Sequence, residues 1–248
     1  MKKDKYTDKA QVYSNYRSSY PIKCVKELLQ KTNLKDDSAI ADIGAGTGIF
    51  TKMLFEKDFT IYAIESNEDM FKELKKLNYK KLKFIHSIAE DTTLYDESID
   101  LIVVAQAFHW FDKEKFKKEC KRILKPNSYI ALLWNEIDYS TDIANDILKL
   151  VTDFTDGEEI YRINLQNDDS LVNGFFYNNS FDKKSYNNNM ELTRKQFIGN
   201  YLSKSYAPIQ KEKRYKEYLK KLNEIFDKHS KNDTLSMLQK TFLYIGKI

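Results

Sequence analysis

The stretch Ala39-Ile-Ala-Asp-Ile-Gly-Ala-Gly-Thr-Gly-Ile49 decides the reading of this chain. An apolar run closes on Asp42, and glycines follow at 44, 46 and 48. That order predicts a buried strand turning sharply into a helix, with glycines that take positive φ angles and let a ligand approach the backbone closely. Seventeen residues beyond Gly48, a second apolar run, Ile61-Tyr-Ala-Ile, ends on Glu65. A carboxylate ending a second parallel strand can accept both hydroxyls of a ribose. Strand, glycine turn and acid are together the parts of a site for an adenosine-containing cofactor.

Glycine spacing narrows the choice of cofactor. The dinucleotide fingerprint G-x-G-x-x-G requires glycine at position 49, where Ile49 stands. A nicotinamide oxidoreductase shares the same strand, turn and acid, but that spacing counts against it.

Further along, helical apolar spacing alternates with short apolar runs. Ile22, Val25, Leu28 and Leu29 form one helix face; Met70, Phe71, Leu74 and Leu77 a second; Phe116, Cys120, Ile123 and Leu124 a third. Runs at 59–64, 82–86, 99–105 and 128–134 lie between or after them, and Pro126 falls where a helix stops. Alternation of this kind predicts a parallel sheet with helices on both faces. Beyond Trp134, helices are expected at 142–154, 193–204 and around Tyr215–Phe226. Loops around a strand near 174–182 fill 164–190, and the tail 235–246 has strand character.

Composition sets outer limits. A chain of 248 residues, 42% hydrophobic and 14% aromatic, suits one α/β domain with a sizeable core. Lys and Arg total 41 against 37 Asp and Glu, so the overall charge implies no extended nucleic-acid surface. The basic excess at 182–231 reads best as a solvated face. Cys24 and Cys120 are too few for a disulfide framework or a metal knuckle, and buried thiols in a reducing, cytoplasmic setting are expected. No metal is expected. The opening Met1-Lys-Lys-Asp-Lys-Tyr leads into no signal-like apolar stretch, and no run is long enough to span a membrane.

The pattern Asp42-x-Gly44-x-Gly46-x-Gly48 resembles the first motif of the class I S-adenosylmethionine-dependent methyltransferases. Glu65, the loop Ser87-Ile-Ala-Glu-Asp91, the segment Asp96–Asp112 and the run Leu124–Trp134 follow in the family's order. The loop Gln106-Ala-Phe-His-Trp110 and the lead-in Tyr13-Ser-Asn-Tyr-Arg-Ser-Ser-Tyr-Pro21 are similar to the type 11 branch, which includes trans-aconitate methyltransferase-like small-molecule enzymes. The resemblance is good over roughly residues 38–135. It implies an α/β, Rossmann-like, seven-stranded and mostly parallel sheet with helices on both faces, the last strand antiparallel, and extra helical cap elements. It also implies one domain over 1–248: a lid and first helix at 1–37, a cofactor core at 38–135, and substrate-side insertions with the last strands at 136–248.

The implied cofactor is S-adenosyl-L-methionine. Its carboxylate suits the amides of Gly44, Ala45, Gly46 and Gly48 at a helix N-terminus. Asp42 either faces its ammonium or holds the loop by accepting amides. Glu65, followed by Ser66, takes the ribose, Met70 covers one face of the adenine, and Ile88, Ala89 and Glu90 meet its other side. Many relatives carry Asp where Ile88 stands, so Glu90 or a backbone carbonyl would take the adenine amino group instead. Gln106 contacts the methionyl part. The acceptor, a small molecule, is expected against Tyr13, Arg17, Tyr20, His109, Trp110 and Tyr206, with Arg17 also able to pair with the cofactor's carboxylate. His109 is the candidate general base, needed only for a hydroxyl, amine or carbon acceptor. A nucleic-acid methyltransferase and a non-catalytic cofactor-binding protein are the alternatives.

Overall fold

The computed structural model describes residues 6–155 and 169–248. The leader residues 1–5 and positions 164–168 of the expected loop region lie outside the described residues. Strands β1 (Ala39–Ile43), β2 (Thr60–Ile64), β3 (Leu82–Ile85), β4 (Ile99–Ala105), β5 (Leu124–Ile137), β6 (Phe181–Asn187) and β9 (Gln239–Gly246) form one sheet in the order β3-β2-β1-β4-β5-β9-β6. Pairing is parallel from β3 through β5, while β9 runs antiparallel to both of its neighbours. This is the expected sheet, with its last strand reversed.

Chain chemistry explains the centre. Strand β4 has Leu101, Ile102, Val103 and Val104 wholly shielded from solvent, as a parallel strand covered on both faces requires. Alternate residues feed two cores. Ala41, Ile43, Ile102, Val104 and Leu132 join Phe108, Phe116, Cys120 and Trp134 on one face. Ile40, Leu101, Val103, Ala131 and Leu133 join Cys24, Leu28, Phe50 and Leu54 on the other. Strand order reverses direction between β1 and β4, which opens a crevice at their carboxyl ends.

Helices α1 (Ala10–Tyr16), α2 (Ile22–Thr32), α3 (Glu68–Leu74), α4 (Lys113–Ile123), α5 (Asp142–Phe154), α6 (Arg194–Leu202) and α7 (Tyr215–His229) surround the sheet. Asp112 caps α4 by accepting the Lys115 amide at 3.2 Å, and Phe116, Cys120 and Ile123 then recur on one buried face. Thr193 and Gln196 build a reciprocal capping box at the start of α6. Helices α5 to α7 share a third core with a separate two-stranded antiparallel sheet of β7 (Met190–Thr193) and β8 (Thr234–Met237), centred on Phe197, Tyr201, Leu222 and Leu235.

Four expectations are corrected. After the glycines there is no regular α-helix, only a 3₁₀ turn at Thr51–Leu54. Gly48 sits at φ +81°, so helical geometry cannot begin before Ile49, and the Thr51 hydroxyl is held by Asp42 at 2.6 Å. The strand expected near 174–182 begins instead at Phe181, because left-handed Asn178 and Asn179 turn the chain just before it. The strand-like tail is two strands, broken at the half-exposed Leu238, with β8 leaving the main sheet. Ile22 is exposed at the first position of α2, where Cys24, Val25 and Leu28 carry the buried face.

Candidate active site

The glycine loop is drawn together by its own amides. Gly44 and Ala45 both donate to the Ile64 carbonyl at 2.9 Å, and Gly46 donates to Glu65 Oε2 at 2.8 Å. The other oxygen, Oε1, accepts the Asn67 amide at 2.7 Å. Glu65 thus ties the loop to the end of β2, the holding role the sequence left open for Asp42. Gly44 is required twice over. Its φ is +72°, and an added Cβ would lie 2.5 Å from the Ala107 Cβ, which cannot swing aside.

Asp42 is wholly buried. Its Oδ2 accepts the Thr51 hydroxyl, while Oδ1 has no hydrogen-bond partner. Burial pushes its carboxyl up to about 7, with the nearby Glu65 charge adding to the rise. Gln106, at φ +59° just past β4, donates from Nε2 to the Asn135 carbonyl at 2.9 Å.

Two cavities meet at this edge. The cleft is lined by Asp42, Gly44, Ala45 and Tyr20, and the second cavity by His109, Tyr139, Val151 and Tyr206; Tyr13, Arg17, Gln106, Asn135 and Lys204 line both. Arg17 lies over the Tyr13 ring at 4.8 Å, and its Nε is buried without a hydrogen-bond partner. The second cavity combines Arg17, Lys204 and His109 with no Asp or Glu among its described lining residues.

The segment containing α1 closes this edge as a strap. Buried Lys9 donates to the carbonyls of Lys204, Ser205 and Ala207 at 2.8, 3.1 and 2.5 Å. Asn200 Nδ2 donates to the Tyr16 carbonyl at 3.0 Å, and the Tyr16 ring fills the space a side chain at Gly199 would take. With the strap in place the cleft encloses about 30 Å³, room for one water-sized group.

The remaining expected residues lie around this centre. Met70 is buried at the start of α3, its amide held by Asn67 at 2.8 Å. Ser66 is exposed, its carbonyl 3.0 Å from His86 Nε2. Ala89 is buried and Ile88 exposed, and Glu90 accepts the Asp112 amide at 2.7 Å. These residues, with Gly46, Gly48 and Glu65, line neither cavity. Trp110 also lies outside both, packed edge-on against Tyr6 at 6.0 Å. Asn135, Tyr139, Lys204 and Lys9 were not anticipated. The position of Asn135 toward the carboxyl end of an apolar strand was a usable signal for it; Lys9 offered none.

The residues present suit the cofactor. An unpartnered buried carboxylate oxygen of Asp42, an unpartnered buried guanidinium nitrogen of Arg17 and the Gly44–Ala45 turn line one cleft, which matches a ligand bearing an ammonium and a carboxylate. Among the described residues no His, Cys, Asp and Glu group is arranged to hold a metal ion, and no helix is long and apolar enough to cross a membrane.

Comparison with known proteins agrees. Residues 41–132 match the family model described as "Methyltransferase domain". An "uncharacterized methyltransferase-like" protein of Schizosaccharomyces pombe is 33% identical over 140 residues, 56% of this chain and 54% of its own. A "probable S-adenosylmethionine-dependent methyltransferase" of Saccharomyces cerevisiae is 29% identical over 125 residues, 48% of this chain and 43% of its own. This chain thus spans about half the length of the curated relatives it matches. A solved structure from Anaeromyxobacter dehalogenans, a "putative type II methyltransferase", superposes with a TM-score of 0.65 at 18% identity, covering 94% of this chain and 98% of that one. The fold is shared with that solved structure, and the family model covers residues 41–132 of this chain.

Proposed function

We propose that this chain, acting as a single domain, is an S-adenosylmethionine-dependent methyltransferase with a small-molecule acceptor. The observation that carries the reading is the meeting of the two cavities along Arg17, Gln106 and Asn135. One offers the glycine loop and Asp42, the other an aromatic and cationic chamber. The cofactor supplies a methyl already activated on a sulfonium, so the protein's work is to align two partners and exclude water. Asp42 Oδ1 holds the ammonium and Arg17 the carboxylate, beside a loop whose Gly44, Ala45, Gly46 and Gly48 amides are already committed within the protein, and Gln106 fixes the methionyl chain. Glu65 takes the ribose, beside Ser66, and Met70, Ala89 and Glu90 border the adenine.

On the acceptor side, His109 and Tyr206 shape the chamber and Tyr13 borders it on the strap side, whereas Tyr20 lines the cleft at Asp42 and Trp110 lies outside both. A hydroxyl, amine or carbon acceptor would pass its proton to His109. The likeness to the trans-aconitate methyltransferase-like enzymes rests on the Tyr13–Pro21 lead-in and the Gln106–Trp110 loop. A nucleic-acid acceptor is less well supported: within the basic stretch, Lys184, Arg194, Lys211, Lys221 and Lys228 each pair with a carboxylate. We place the enzyme in the cytoplasm on its two buried cysteines, Cys120 held well above its ordinary range and Cys24 pushed up to about 12, both mainly by burial.

Incubation of the protein with methyl-labelled cofactor and fractionated metabolite pools tests this reading. Label transferred to a small-molecule product is expected. Transfer only to RNA, or none despite tight cofactor binding, would favour the alternatives.

A further inference from the structure

We propose that Asn135 is a positioning residue that seats the N-terminal strap on the carboxyl edge of the sheet and so sets Arg17 against both cavities. Its side-chain amide Nδ2 donates to the Ser19 carbonyl at 3.1 Å and to the Ser18 hydroxyl at 3.4 Å. Asn188, just beyond β6, donates to the same Ser19 carbonyl at 2.9 Å and to Asn135 Oδ1 at 3.2 Å. Thr241, paired with Asn135 across β5 and β9, donates its hydroxyl to that oxygen at 2.5 Å. The Asn135 backbone carbonyl holds Gln106. One residue therefore joins β5, β9, the end of β6, the turn after β4 and the strap.

Arg17 directly precedes the clipped Ser18 and Ser19. Its guanidinium reaches both cavities with a buried nitrogen that no protein group satisfies, so its placement depends on where the chain on either side is fastened. On one side the fastening is α1 against α6 through Tyr16. On the other it is this pair of amides. Side-chain oxygen and nitrogen of Asn135 have separate duties: Oδ1 knits the sheet edge, and Nδ2 holds the strap.

That division gives a test. Asn135→Asp keeps an oxygen for Thr241 and Asn188 but removes the donor to the strap, whereas Asn135→Ala removes both. Asn188→Ala removes the second clip alone. The measurements are the rate of trypsin cleavage after Arg17, the thermal unfolding midpoint, and affinity for S-adenosylhomocysteine. Losing one such hydrogen bond should speed Arg17 cleavage in Asn135→Asp about tenfold and weaken binding about tenfold, with the unfolding midpoint lowered by no more than a few degrees. Asn188→Ala should move cleavage in the same direction. Only the affinity arm rests on the cofactor reading; wild-type protein that failed to bind S-adenosylhomocysteine would remove that reading and leave cleavage to decide this one. Cleavage of Asn135→Asp at the wild-type rate would overturn the proposal and leave Asn135 as a brace between two strands. If Asn135→Ala does not fold, Asn135→Asp and Asn188→Ala still decide the matter.

Discussion

The Gly46 amide and the Glu65 carboxylate are joined at 2.8 Å, so the glycine loop and the end of β2 move as one body. Removing that acceptor both loosens the loop and deletes the proposed ribose contact. Glu65→Ala should weaken S-adenosylhomocysteine binding about 10- to 100-fold, the range for hydrogen bonds to a charged group. Gly46→Val, a branched residue forced to φ +58°, should abolish it. Calorimetry on both variants checks this; wild-type affinity in both would remove the loop from the site.

Gly44 and Gly174 share a φ of +72° but differ in surroundings. Gly174→Ala meets open space and should cost only the conformational strain, about 1–2 kcal/mol. Gly44→Ala adds the collision with Ala107 and should cost about 2–5 kcal/mol. Denaturant midpoints with unchanged slopes would measure the difference, and equal losses would contradict the crowded geometry of the turn.

Asp42 makes cofactor affinity depend on pH. Its folded value of about 7 lies above the ordinary carboxylate value near 4, so the folded protein holds this proton more tightly than the unfolded chain. That contribution to stability is complete below about pH 4 and is lost as pH rises through about 7. A ligand ammonium favours the ionised form. Affinity for S-adenosylhomocysteine should therefore rise between about pH 5.5 and pH 7, by up to tenfold per unit, with a proton released. Asp42→Asn should flatten the profile, and a slope persisting in that variant would assign the titration elsewhere.

His109 lines the second cavity, proposed to take the acceptor, and not the cleft at Asp42. His109→Ala should leave cofactor affinity unchanged and lower turnover about 10²- to 10⁴-fold on an acceptor that must lose a proton. On a carboxylate acceptor the loss should be far smaller. Unchanged turnover on a protonated acceptor would remove His109 as a base.

Much of the fold was legible because the parallel core is written in continuous apolar runs. Leu101–Val104 and Ile130–Trp134 are buried on both faces, so their sequence has few alternatives. The acid ending β2 was equally plain. Less legible were contacts made at long range. The partnership of Lys9 with carbonyls at 204–207 spans nearly the whole chain and has no local signature. The 3₁₀ turn after the glycines was hidden because Phe50, Thr51 and Leu54 keep a helical burial pattern while Asp42 claims the Thr51 hydroxyl. Trp110 looked like a pocket wall from its place in the loop, yet its ring packs on Tyr6.

The central claim is that the cleft at Asp42 and the glycine loop takes S-adenosylmethionine. Isothermal titration with S-adenosylmethionine, S-adenosylhomocysteine and NAD in parallel tests it most directly. Binding of the first two at roughly micromolar affinity, with no heat from NAD, is the predicted result. Binding of NAD alone would contradict the account and turn the search toward hydride transfer.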